Sequence, residues 1–267
     1  MILRSVPARV GLLWVRFGFA CVMRRPLQSL LLVLVYFGLV AALQLVPVLG
    51  IPLSIAVTQL TTLGFMQGSR NIARGLPAWP VVFAQGLRAP SPRVRSLLLL
   101  CLVYLLALML ALGLSALADG GALLRLFLFS AYPAKGAVAN GALGQAGLLT
   151  LLVYLPVSMA FWFAPPLVAW WGMGVAQALF TSFIIVARNF GAFALYVAQW
   201  WGLFAATLIL GSLAAAALRL DSSPSLLLEL PLWLLLFTPF ALSFQASVHS
   251  LLGEPPQGAA PAAGAAA

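Results

Sequence analysis

The chain has 267 residues, of which 64% are hydrophobic and only 7% charged, whereas an ordinary soluble domain is about 25% charged. A water-soluble globule is excluded, and one His, two Cys and four acidic residues are too few for most metal clusters or paired-carboxylate mechanisms. The net charge of +10 comes from thirteen Arg and one Lys scattered between apolar runs. No polar domain gathers them into a groove, so the expected counter-charge is anionic lipid headgroup and not nucleic acid.

A helix needs roughly 20 apolar residues to cross a hydrocarbon core about 30 Å thick. Residues 8–25 come first and do not meet that test cleanly, because Arg9 and Arg16, seven apart, put a cationic stripe on one helical face. The first expected span, 27–46, holds no charge. A Pro47/Gly50/Pro52 turn leads into the second, 53–69. Residues 79–88 again carry a polar stripe, ahead of a Leu-rich third span at 97–118. A longer loop near 119–145 precedes a fourth span, 146–164, ending just after Trp162. Residues 167–188 are apolar, yet Gln177, Thr181 and Arg188 share a narrow helical face. The fifth span, 190–218, is uncharged throughout, and the sixth, 230–248, opens with Pro231. Residues 253–267 are a Pro, Gly and Ala tail expected to be disordered. The late start of the first long apolar run argues for a retained anchor over a cleaved signal.

The fold expected is an all-α polytopic membrane helical bundle with about six transmembrane helices. The three striped segments share a spacing: Phe19 and Arg24, Phe83 and Arg88, Phe183 and Arg188 are each five apart, and each pair precedes two spans. We read three repeats of an amphipathic helix followed by a transmembrane hairpin, at about 8–74, 75–164 and 165–252, within an integral membrane domain covering 1–252. The striped helices are expected to lie along the membrane surface.

Orientation follows from the basic residues, which concentrate in cytoplasmic loops. With the N-terminus inside, eleven arginines (4, 9, 16, 24, 25, 70, 74, 88, 93, 95 and 188) fall on the inner side, against Arg125, Lys135 and Arg219 outside. Three acids, Asp119, Asp221 and Glu229, also fall outside. Both termini are therefore expected in the cytoplasm of a bacterium, with the chain in its inner membrane. Were 167–188 a seventh span, the C-terminus would be outside; the Pro165/Pro166 junction leaves almost no connection for that.

Chemistry-bearing residues are few. No expected span has a charge in its interior, which argues against a proton-coupled pump. His249 sits at the inner end of the last span, and its one acidic neighbour in sequence is Glu254 in the tail. No nucleophile elbow, phosphate-binding loop or dinucleotide fingerprint occurs, so no enzymatic activity and no cofactor are expected. Cys21 and Cys101 lack any paired spacing and read as small buried hydrophobes. Polar neutral residues recur on the second span (Ser54, Thr58, Gln59, Thr61, Thr62, Gln67) and the sixth (Thr238, Ser243, Gln245, Ser247). Their first use is as hydrogen-bonded packing seams. Their second is a solute path beside Ser54, Thr58, Gln67 and Gln245. Gly64 and Gly68 form a small-residue stripe suited to close packing within the chain, and Pro156 and Pro239 should kink their helices.

Residues 163–196 carry Phe-Ala-Pro at Phe163 to Pro165, then Gly172, Ala178-Leu179, Ser182-Phe183 and Arg188-Asn189. With Arg24-Arg25-Pro26 and the stretch 64–74, this pattern resembles the BPSS-type family of proteobacterial inner-membrane proteins. More distantly, it is similar to the membrane domain attached to some glycerophosphodiester phosphodiesterases. The resemblance implies a multi-pass inner-membrane architecture and a lipid-related setting, and it transfers no catalytic residue. Phe180 and Ile184 depart from it, being apolar where the resemblance implies a more basic helix. The expected role is non-enzymatic, membrane-organising contact with anionic lipid phosphate through Arg24, Arg88 and Arg188. A small-solute or lipid transporter is the alternative.

Overall fold

The computed structural model describes residues 4–47, 49–88, 91–129, 141–217 and 222–254. Lys135, Arg219, Asp221 and the tail from residue 255 lie outside them. All regular structure among the described residues is helical: α1 (Val10–Arg24), α2 (Pro26–Gln44), α3 (Gly50–Ala73), the 3₁₀ helix η1 (Pro80–Arg88), α4 (Ser91–Asp119), α5 (Ala122–Phe129), α6 (Ala142–Phe161), α7 (Ala164–Trp171), α8 (Val175–Arg188), α9 (Phe190–Ala217) and α10 (Ser222–Leu252). The chain is an all-α polytopic helical bundle.

Among the described residues, five stretches are long and apolar enough to cross a membrane: Pro26–Gln44, Pro92–Asp119, Ala142–Trp171, Phe190–Ala214 and Leu230–Leu252. They match the first, third, fourth, fifth and sixth expected spans. The second corresponds to α3, whose 24 residues are long enough but whose Ser, Thr and Gln content keeps it out of that apolar set. Most of each span's surface stays open, as lipid-facing helices require. On α4, for example, Leu102, Leu106 and Leu110 repeat every fourth residue and are all at least half exposed.

Proline and glycine set the boundaries. Arg25 leaves helical geometry at φ −143°, as the residue before a proline is pushed to do, and Pro26 opens α2 at the position where a missing N–H is harmless. Gly120 and Gly121 take φ +62° and +85° between α4 and α5. There the Asp119 carboxylate accepts the N–H groups of Gly121 and Leu123, at 2.8 and 2.6 Å, capping α5. The stretch 167–188 is not one helix. Gly172, at φ +67°, ends α7 in the left-handed conformation, and three residues separate it from α8. Helix α8 alone has 14 residues, short of the roughly 20 that a crossing needs, so the seventh-span alternative loses its length. Helix α10 begins at Ser222, placing Pro231 inside it with Pro239 and not at its start.

The chain forms two compact units. The first comprises residues Met1–Gly38, Thr61–Gly86 and Ala187–Pro255. Here α1 packs against α9 and α10 through the stripe Gly11, Trp14, Val15, Gly18 and Cys21. Gly11 lies against the Ala192 carbonyl and Gly18 against the Pro239 carbonyl, so the helix backbones meet with no side chain between them. Trp14 packs on Phe193 and Tyr196, and Phe19 stacks on Trp200. Helix α1 thereby follows the first turns of α9. Arg16 is exposed on α1, and Arg9, exposed too, precedes the helix at its N-cap. A second cluster joins Cys21, Leu32, Phe65, Ile72, Val82 and Leu242. Within it Gly64 admits the Phe83 ring and Gly68 admits Leu32, which accounts for that glycine pair by packing inside the unit.

The second unit comprises Leu39–Leu60 and Leu87–Val186. Helix α4 packs along α6 and against α5 and α7. The Tyr104 and Tyr154 hydroxyls lie 3.1 Å apart, and Tyr104 packs on Phe161. Buried Ser182 ties α8 to the end of α6: its hydroxyl donates to the Met159 carbonyl at 2.8 Å and accepts the Phe163 N–H at 2.9 Å.

Candidate functional site

Charged side chains converge in one place in the first unit. A cavity of about 270 Å³ is lined by Phe17 of α1, Arg70, Ala73 and Arg74 at the end of α3, and Gln245, His249, Gly253 and Glu254 at the end of α10. Arg70 and Arg74 are four residues apart on α3, as are Gln245 and His249 on α10, so each pair presents one helical face. Arg70 and Gln245 are 8% and 6% exposed and form the floor. Arg74 and Glu254, with side chains 42% and 63% exposed, form the rim.

Local geometry brings Glu254 to that rim. Gly253 adopts φ +74°, and its N–H bonds the His249 carbonyl at 3.2 Å, closing α10 with a left-handed turn that redirects the chain. Glu254 then pairs with Arg74 at 2.9 Å. That hydrogen bond, reinforced by the guanidinium charge, holds the Glu254 carboxyl below the usual carboxylate range. Two guanidiniums and an imidazole thus act on one carboxylate beside a partly apolar wall. Such an arrangement can hold an oxyanion.

The sequence-expected site residues are dispersed. Arg24, Arg88 and Arg188 are the last residues of α1, η1 and α8, and all three are exposed. Cations at helix C-termini complement the terminal carbonyls. Arg24 and Arg188 belong to the first unit and Arg88 to the second. Of the polar set, Ser54 and Thr58 lie in the second unit, where each donates its hydroxyl to the carbonyl four residues back, Gly50 at 2.8 Å and Ser54 at 3.0 Å. Gln67, in the first unit, donates to the Asn71 side chain at 2.9 Å. Gln245 alone of the four lines the cavity.

Arg70, Arg74, His249 and Glu254 were not singled out as a site from the sequence, where Arg70 and Arg74 counted only as inner-side charge. The available signal was the four-residue spacing of each pair.

Over 263 aligned residues, 97% of this chain and 97% of the other, the sequence is 32% identical to a protein of Burkholderia thailandensis named as a probable inner membrane protein. The chain belongs to that inner-membrane protein family. No protein-family model matches it, and no solved structure matches it. The family and the five membrane-capable helices together make this an integral protein of the inner membrane. Several residues that carried the resemblance have structural roles: Gly172 caps α7, Ser182 ties α8 to α6, and buried Asn189 accepts the Val6 N–H at 2.9 Å while donating to the Arg4 carbonyl.

Proposed function

We propose that this protein is a non-enzymatic organiser of the inner membrane that contacts anionic lipid through Arg24, Arg88 and Arg188. One observation carries the reading. Each of these exposed arginines ends a short helix beside an exposed apolar side chain: Met23 beside Arg24, Leu87 beside Arg88, and Phe190 two residues after Arg188. An apolar group paired with a guanidinium suits the boundary between acyl chain and phosphate. The three positions also correspond in the proposed threefold repeat, and the distant likeness to a phosphodiesterase-associated membrane domain is in keeping with a lipid setting. N-terminus and C-terminus are both cytoplasmic in this reading, following the basic-residue bias.

The test is a triple Arg24→Gln, Arg88→Gln, Arg188→Gln variant analysed by native mass spectrometry after mild extraction. Anionic lipid retained by the natural protein should fall at least severalfold. Unchanged lipid content would overturn the proposal. The transporter alternative, with its path beside Ser54, Thr58, Gln67 and Gln245, draws on Gln245, which lines the cavity at the ends of α3 and α10.

A further inference from the structure

Ahead of α1, the segment 4–8 is strapped to the start of α9 and the end of α10. Val6 precedes Pro7, and the residue before a proline is pushed to extended backbone. In an extended chain the carbonyl of one residue and the N–H two places on face the same side. Arg4 and Val6 are such a pair, and the Asn189 side chain, only 3% exposed, takes both: its Oδ1 accepts the Val6 N–H at 2.9 Å and its Nδ2 donates to the Arg4 carbonyl at 3.2 Å. Turning the carboxamide over would set donor against donor and acceptor against acceptor, so its orientation is fixed. The Arg4 N–H also reaches the Leu251 carbonyl at 3.5 Å, and Ala8 lies against Gly191. The clamp thereby holds two cations together. Arg188 precedes the clamping residue and Arg4 is gripped by it, so their Cα atoms are within about 13 Å, which two arginine side chains can bridge through one anion. Both arginines are exposed, and among the described residues neither belongs to an ion pair, the pair present being Arg74 with Glu254.

We infer that Arg4 and Arg188 together receive the phosphate of one anionic lipid headgroup, with Asn189 as the positioning residue that keeps Arg4 beside Arg188. This rests on the reading of Arg188 as a lipid contact and adds a second cation, supplied by the N-terminal strap. Two like charges held close repel, and a shared anion relieves that repulsion. One guanidinium offers a phosphate a single charge-assisted contact, whereas two from different directions engage separate oxygens of the same group. Phe190, 54% exposed directly after the clamp, argues for a lipid headgroup over free phosphate, because it offers an apolar surface to the acyl chain beneath the headgroup. Asn189 acts through Arg4: its carboxamide is engaged with the strap backbone.

The experiment places the full chain in phosphatidylcholine nanodiscs with and without phosphatidylglycerol and counts retained phosphatidylglycerol by native mass spectrometry. Arg4→Gln and Arg188→Gln should each weaken retention about tenfold, the effect of one charge-assisted contact. The double variant should lose the same single lipid as either one alone; loss of two lipids would mean separate contacts and overturn the inference. Asn189→Ala should weaken retention as Arg4→Gln does, and adding Arg4→Gln to it should change nothing further, a response that a merely structural role for Asn189 would not give. Should Asn189→Ala fold poorly, the two arginine variants, both at exposed positions, decide the matter. Millimolar inorganic phosphate should leave the lipid in place; its displacement overturns the assignment to a headgroup. Loss of lipid in Arg188→Gln but not in Arg4→Gln overturns this inference and leaves the three-arginine contact standing. Loss in both, with none in Arg24→Gln or Arg88→Gln, supports this site and sinks the threefold reading. Retention unchanged in both overturns the inference.

Discussion

Gly18 is where the packing of the first unit is least forgiving. A Cβ added there would press into the Pro239 carbonyl oxygen, with the Ser243 Cβ at 2.9 Å and the Pro239 carbonyl carbon at 3.0 Å. Ordinary carbon contacts lie near 3.5 to 4.0 Å, so α1 would have to withdraw from α10 by roughly 0.5 to 1 Å. A gap of that size forfeits about a quarter to a half of each dispersion contact along the seam, which includes Trp14, Val15 and Cys21. Overpacking of this kind costs about 1 to 3 kcal/mol. The control is Gly38→Ala on α2, where an added Cβ meets nothing within 4 Å and helix propensity improves by up to about 1 kcal/mol. Thermal unfolding of both variants in the same detergent, followed by circular dichroism, should show Gly18→Ala losing several degrees and Gly38→Ala losing none. Equal midpoints for the two variants, or a Gly18→Ala protein at least as stable as the natural one, would refute the close-backbone account of α1.

Other expectations follow from named contacts. Ser182→Ala should destabilise the second unit by about 1 to 3 kcal/mol, because it removes the hydroxyl that accepts the buried Phe163 N–H, whereas Ser182→Thr, which keeps that hydroxyl, should avoid most of the loss; the same unfolding assay checks both. Asp119→Ala should cost about 0.5 to 2 kcal/mol by uncapping α5, visible as faster hydrogen exchange at Gly121 and Leu123. Burial pushes the Cys21 thiol up to about 12 and leaves it nearly inaccessible, so a maleimide at neutral pH should modify it only after unfolding. The Glu254 carboxyl is lowered in the folded protein, chiefly by its hydrogen bond from Arg74. Its contribution is therefore complete above the ordinary carboxylate range and disappears as pH falls through the depressed value. The stability difference between the natural protein and Glu254→Gln should vanish on acidification to that point and be constant near neutrality.

The long spans were legible because lipid imposes a one-dimensional requirement: enough consecutive apolar residues to cover the hydrocarbon. Residues 27–46 and 190–218 satisfy it without reference to any other part of the chain. The break at Gly172 was less legible, since a glycine within an apolar run costs a helix only about 1 kcal/mol and its left-handed conformation depends on the capping bonds around it. The seam at Gly11 and Gly18 shows a similar limit. Two small residues seven apart predict a flat face, but not that the carbonyls of Ala192 and Pro239 lie against it. The cavity was the least visible feature, because Arg70 and His249 are 179 residues apart and meet only through tertiary structure. Four-residue spacing marked each half. Nothing in the spacing joined the halves.

The proposed threading of the bilayer brings Arg24, Arg88 and Arg188 all to the cytoplasmic leaflet. Single cysteines placed at these positions in a Cys21→Ala, Cys101→Ala background can be labelled with a membrane-impermeant maleimide in intact spheroplasts and in inverted vesicles. All three should react in inverted vesicles and remain unlabelled in spheroplasts. Labelling of any of them from the periplasmic side would contradict the threading and the lipid contacts proposed from it.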